Sequence, residues 1–105
     1  MKTLALFFTL FLMTPAVLWA QSANELLQKV SEALSMGKDD YAVSLFRQTA
    51  DVGIERAEMF YWTRVDKSSE VAPRLAQTLA ARYKESRNYD KAYLFYKEFL
   101  QRYPE

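Results

Sequence analysis

From Leu26 onward the apolar residues return every three or four positions. Leu26, Leu27, Val30, Ala33 and Leu34 share one side, with Glu25, Gln28, Lys29 and Glu32 on the other. That period predicts an amphipathic helix and not a strand. Its start is marked by Ser22-Ala23-Asn24-Glu25, where Ser22 can cap the first turn and Glu25 can reach back to it. It ends near Met36-Gly37. A second helix, capped by Asp39 or Asp40, aligns Tyr41, Ala42, Leu45, Phe46 and Thr49 until Gly53 stops it. A third runs from about Ile54 to Val65 and is broken by Lys67-Ser68-Ser69. Pro73 opens a fourth near its first turn, where a missing N–H costs nothing, and Leu75, Ala76, Leu79, Ala80 and Tyr83 follow in line. The fifth spans Tyr89 to Tyr103. No stretch alternates with period two, so the pattern predicts an all-α fold of about five short helices in antiparallel pairs.

The fifth helix carries six aromatic rings between Tyr89 and Tyr103. At helical spacing, Tyr89, Ala92, Tyr93, Tyr96, Phe99, Leu100 and Tyr103 make one broad apolar face. Such a face is too wide for one neighbour and suits a helix that packs against two. A ligand box would need polar groups converging between the rings, and the sequence supplies none there. The opposite face carries Asp90 and Glu98 against three bases, which does not suit a membrane-surface helix.

The first twenty residues stand apart from this pattern. Lys2 precedes the apolar run LALFFTLFLM, Thr14-Pro15 interrupts it, and AVLWA ends on small Ala20. This reads as a secretory signal peptide over residues 1–20, cut after Ala20, and it leaves a helical domain over 21–105. The alternative is an uncleaved membrane anchor, because no charge appears between Thr3 and Asn24. Secretion or passage to the periplasm is the expected destination, with insertion in the membrane not expected once the segment is removed. Lys2 is the one charged residue removed, so residues 21–105 hold thirteen basic and thirteen acidic side chains and are neutral. A neutral domain has no long-range field with which to gather nucleic acid.

Composition removes most chemistry. The chain has no cysteine and no histidine, so thiolate nucleophiles, disulfides and the commonest general base and metal ligand are all missing. The paired acids Asp39-Asp40 suit a helix start, where they favour the dipole. Glu55 and Glu58, one turn apart beside Arg56, suit a solvated face. No catalytic residue, metal ligand or cofactor is therefore assigned.

The segment LAARYKESRNYDKAYLFYKEFLQRYP, Leu79 to Pro104, resembles a tetratricopeptide repeat. Leu79 and Ala80, then Tyr83, Tyr89, Ala92, Tyr96 and Pro104, stand at that family's spacing. Arg87-Asn88 replaces the usual turn glycine, with Asn88 able to take the left-handed conformation. The earlier DDYAVSLFRQTADVGIERAE resembles the related Sel-like repeats through Ala42, Leu45-Phe46, Ala50, Gly53 and Ala57. The equivalent turn residues Gly37 and Arg87 lie fifty apart, against roughly 34 in a regular array. The third helix is thus an extra or an orphan half-repeat, and Tyr61, Trp62 and Thr63 stand where the family prefers a small residue. The resemblance implies a scaffold that binds a protein or peptide. In that family the first helix of each repeat lines a concave groove, which here implies Arg74, Gln77, Ala81 and Lys84 as groove residues suited to an acidic or C-terminal peptide. The lysine-and-asparagine clamp of some members is not reproduced. Repeat arrays end in a helix with a polar outer face, and the sequence reaches Glu105 without one. Tyr93, Leu94, Phe95 and Leu100 are accordingly expected to form a surface covered by a partner helix or a second copy. A self-oligomerising structural protein is the second reading and a small enzyme the third.

Overall fold

The computed structural model describes residues 15–102. Four helices follow in order: α1 (Pro15–Ser35), α2 (Asp39–Arg64), α3 (Ala72–Glu85) and α4 (Tyr89–Arg102). The described residues contain no strand. α1 does not begin at Ser22. It continues back to Pro15, so Ser22 and Glu25 are mid-helix residues and the expected capping box is absent. The expected cut after Ala20 falls within α1, and residues 1–14 of the signal segment lie outside the described residues. Nor does an aspartate cap α2, since Lys38 holds the cap position without a side-chain hydrogen bond and Asp39 and Asp40 fill the first turn. Negative charge in the first turn is favourable to the helix dipole without a formal cap.

The expected second and third helices are joined as α2. At Gly53 the backbone leaves helical geometry (φ −167°, ψ 78°), and the helix bends there rather than ending. The reason glycine suits this point is proximity: a Cβ on Gly53 would sit 3.1 Å from the Cβ of Ala23 on α1. The bend divides α2 into two halves. The first half lies beside α3, where Asp40 pairs with Arg74 at 2.9 Å. Nearby, Arg82 Nε lies 3.2 Å from Asp51, an electrostatic contact without hydrogen-bond geometry. The second half lies between α1 and α4, touching Asn24 through Arg56 and Lys91 through Glu58. Lys67 closes its end by donating to the carbonyls of Tyr61 and Val65, with its Nζ 4.5 Å from the centre of the Tyr61 ring. Burial lowers its pKa, opposed by the charges of Glu98 and Asp66.

The core forms along the inner sides of these elements. Phe46 and Phe60 meet across the bend, ring centres 6.3 Å apart. Thr49, fully buried, donates its hydroxyl to the Leu45 carbonyl at 2.8 Å and so brings no unpaired polar group into the interior. Phe95 is also fully buried, stacked on Tyr83 and edge-on to Tyr61. That corrects the expectation that it lies on an open partner surface. The inward stripe of α4 is Ala92, Phe95 and Phe99, one notch round from the face expected, because α3 and the second half of α2 cover only that side. Of the other rings, Tyr96 and Phe99 are half-buried, Tyr89 and Tyr93 are exposed, and Tyr103 lies outside the described residues.

Two turns repeat in atomic detail. After α1, Lys38 N–H donates to the Ala33 carbonyl (2.9 Å) and Gly37 N–H to Leu34 (3.1 Å). Fifty residues later, after α3, Asn88 N–H donates to Tyr83 (2.9 Å) and Arg87 N–H to Lys84 (3.0 Å). Both are the paired-bond ending that satisfies the last carbonyls of a helix. The left-handed residue is Gly37 in one (φ 72°) and Arg87 in the other (φ 65°). Asn88 does not take that role. An L side chain in this region costs about 1–2 kcal/mol that glycine avoids. We therefore expect Arg87→Gly to raise stability by about 1 kcal/mol and Gly37→Arg to lower it by a similar amount. Urea midpoints of the two variants check this; equal midpoints would show that neither turn is strained.

Candidate functional site

The groove residues expected from the sequence fall on α3. Gln77, Ala81 and Lys84 are exposed there, and Arg74 is held by Asp40. They share a face, as their spacing required. A concave surface lies between α1 and the second half of α2.

This groove encloses about 470 Å³. The one tertiary hydrogen bond at its edge sets the register of its walls: Arg56 Nη1 donates to Asn24 Oδ1 at 3.1 Å. Helical spacing then carries Leu27, Gln28 and Glu32 along one wall and Met59, Phe60 and Arg64 along the other. Met59 is 67% exposed, although its side chain is apolar. Arg64 lies over Phe60, its guanidinium carbon 5.9 Å from the ring centre. Among the described residues neither Arg56 nor Arg64 joins an ion pair, so both keep uncommitted donors beside an apolar patch. No direct signal for this site is legible in the residues, because the expected third helix is the segment that fits no regular repeat.

A second concavity of about 520 Å³ opens on the other side of Met59 and contains the carboxylate of Glu58. Glu58 is 16% exposed. Its carboxylate accepts from both Tyr83 and Lys91, the latter at 2.9 and 2.8 Å. Burial alone would push its pKa up, but the donors Lys91, Tyr83 and Trp62 outweigh this and hold it below the usual glutamate range. Burial, followed by the neighbouring Glu58, pushes the Tyr83 hydroxyl above the usual phenol range. Burial, then Glu98, does the same to Tyr61, which donates to Glu98 Oε1 at 3.1 Å. Glu58 was expected on a solvated face. Its hydrogen-bond donors Tyr83 and Lys91 come from α3 and α4, so it is a joint between three helices. As a saturated carboxylate below its ordinary pKa it is poorly suited to taking a proton from a substrate.

The expected partner surface on α4 is split. Tyr93, Leu94 and Leu100 are exposed at 66%, 40% and 47%, while Phe95 belongs to the core.

Replacing Glu58 by glutamine removes the charge but keeps the shape, and we expect it to cost about 1–2 kcal/mol at neutral pH. A carboxyl whose folded pKa is depressed contributes stability that is complete above its unfolded pKa and lost as pH falls through the folded one. The difference between wild type and Glu58→Gln should therefore be full above about pH 5 and close in stronger acid. Thermal melts across that range test it, and a pH-independent difference would show that the carboxylate is not the source.

No protein-family model matches the chain, and no curated protein does. The crystal structure of a protein from Bacteroides ovatus ATCC 8483, provisionally described as a protein-binding protein, is similar: 58% identity with a TM-score of 0.75. The match covers 78% of this chain and 41% of that one, so the chain spans about two-fifths of the length of the protein it resembles.

Proposed function

We propose that the chain is a non-catalytic binding module of the tetratricopeptide-like or Sel-like helical-repeat type, and that it holds a protein or peptide segment in the groove between α1 and the second half of α2. The observation that carries this is Met59, an exposed apolar side chain set between two arginines that lack ion-pair partners. An exposed apolar patch rimmed by cations without ion-pair partners suits contact with another chain better than contact with water. Acidic groups in the bound segment would meet Arg56 and Arg64, and an apolar side chain between them would cover Met59. The similarity to a protein provisionally described as protein-binding supports the same reading. Absence of both histidine and cysteine from the sequence favours binding over catalysis. A secreted or periplasmic setting follows from reading residues 1–20 as a signal peptide.

Two double variants separate this groove from the α3 face. Arg56→Glu with Met59→Asp should reduce capture of the specific partner from an envelope extract by tenfold or more while the fold is retained, since both positions are exposed. Arg74→Glu with Lys84→Glu should leave capture nearly unchanged. The opposite pattern would return the site to α3, and capture indifferent to both would remove the groove from consideration.

A further inference from the structure

Met59 lines both concavities, so the groove beside α1 and the second concavity meet along one exposed side chain. Their charges have opposite signs. The groove holds Arg56 and Arg64 against Glu32, whereas the second concavity holds Glu55 and Glu58 against Lys91. Helix geometry produces the division. Glu55 and Arg56 are neighbours in sequence and leave the helix about 100° apart, with Met59, one turn on, between them. The second concavity is bounded by the second half of α2, by Tyr83 of α3, by Asn88 of the following turn and by Lys91 of α4, so its walls are all present among the described residues.

Within it, Glu58 and Lys91 satisfy each other through two bonds. Glu55 is left over: it is exposed and, among the described residues, joins no ion pair. The lining around it is apolar or aromatic, with Ile54, Met59 and the rings of Tyr83 and Trp62, the last 41% exposed. An apolar hollow with one uncompensated carboxylate complements a side chain that has an apolar stem and a cationic end. The rings add to this, because an aromatic face attracts a cation. The molecule already uses the arrangement on itself, since Lys91 Nζ bonds both oxygens of Glu58 and lies 5.7 Å from the centre of the Tyr83 ring. Arginine suits the remaining space better than lysine, because its planar guanidinium can stack on a ring and hold a carboxylate through two N–H groups at once.

We propose that the second concavity is a subsite for an arginine side chain of the segment bound in the groove. The stem lies along Ile54 and Met59, and the guanidinium stacks on Trp62 and pairs with Glu55. Assigning the arginine to that segment rests on the reading of the groove given above, whereas the affinity of the subsite for a guanidinium does not. The bound segment therefore carries an acid on the Arg56 side of Met59 and an arginine on the other, and a purely acidic peptide is a poor ligand.

The probe is N-acetylarginine methylamide, titrated into the isotope-labelled chain and followed by nuclear magnetic resonance. Its citrulline analogue, which keeps the planar shape and loses the charge, is the control. Saturable shifts of the Trp62 indole and Asn88 side-chain resonances are expected, weakened severalfold by the citrulline analogue and by Glu55→Gln. Glu55→Gln should also weaken, severalfold, capture of the partner that Arg56→Glu with Met59→Asp loses, and it should retain the fold because the side chain is exposed. Absence of saturable shifts at Trp62, or equal binding of the citrulline analogue, overturns the subsite and leaves the groove reading untouched. Capture that responds to Arg56 and Met59 but not to Glu55 overturns it as part of that site. Capture indifferent to all three removes the groove reading, and with it the source of the arginine, even where the free probe binds. If the captured protein is this chain itself, the arginine comes from a second copy and the proposal is overturned.

Discussion

The contact between Gly53 and Ala23 is small, yet the arrangement of everything after it depends on that contact. With two minimal side chains at the crossing, the backbone of α2 comes close enough to α1 to bend across it instead of running on past. Without the bend, a straight helix of that length would leave one end of the molecule, and its second half could not lie beside both α1 and α4. The groove and the partly buried glutamate both follow from that return.

What holds the returning half in place is a joint in which packing and charge reinforce each other. Phe95 is clasped by Tyr61, Trp62 and Tyr83, so α4 is fixed to α2 and α3 through one buried ring. Directly beside it, Glu58 receives donors from α3 and α4. Burying a carboxylate is costly unless its oxygens are satisfied, and here donors on two other helices meet that cost. Loosening either helix would leave a charge poorly paired, which gives the joint a geometric specificity that ring packing alone would not provide.

Much of this fold was legible in the sequence and the candidate site was not. The spacing of Leu75, Ala76, Leu79, Ala80 and Tyr83 identified α3 and its buried side correctly, since helical period and burial are tied by geometry. The equivalence of Gly37 and Arg87 could likewise be read from spacing, although which residue of the second turn would take the left-handed conformation depended on the hydrogen-bond pattern. The location of the groove could not be read, because its walls come from α1 and from the half-helix after Gly53, and the residues that meet across it, Asn24 and Arg56, are 32 positions apart. Periodicity describes each helix about its own axis and carries no information about the order in which helices stack. Phe95 failed for a related reason. Its place at the edge of a wide apolar face left open which third of that face would turn inward, and its partners Tyr61 and Trp62 lie more than thirty residues earlier in the chain.

The repeated turn, which makes a hairpin of α1 with the first half of α2 and another of α3 with α4, also bears on how evenly the molecule resists opening. In a stack of similar units each unit is held by its own packing and by the faces it shares with neighbours, so a unit covered on one side has less holding it than one covered on two. The first half of α2 is enclosed by α1 and by residues 54–85, whereas α4 is enclosed on one side. Backbone amides of Val43 and Phe46 should therefore exchange with solvent deuterium far more slowly than those of Tyr93 and Tyr96, although both pairs sit at the same points of the same motif. Equal rates would mean that the two hairpins open together as one unit.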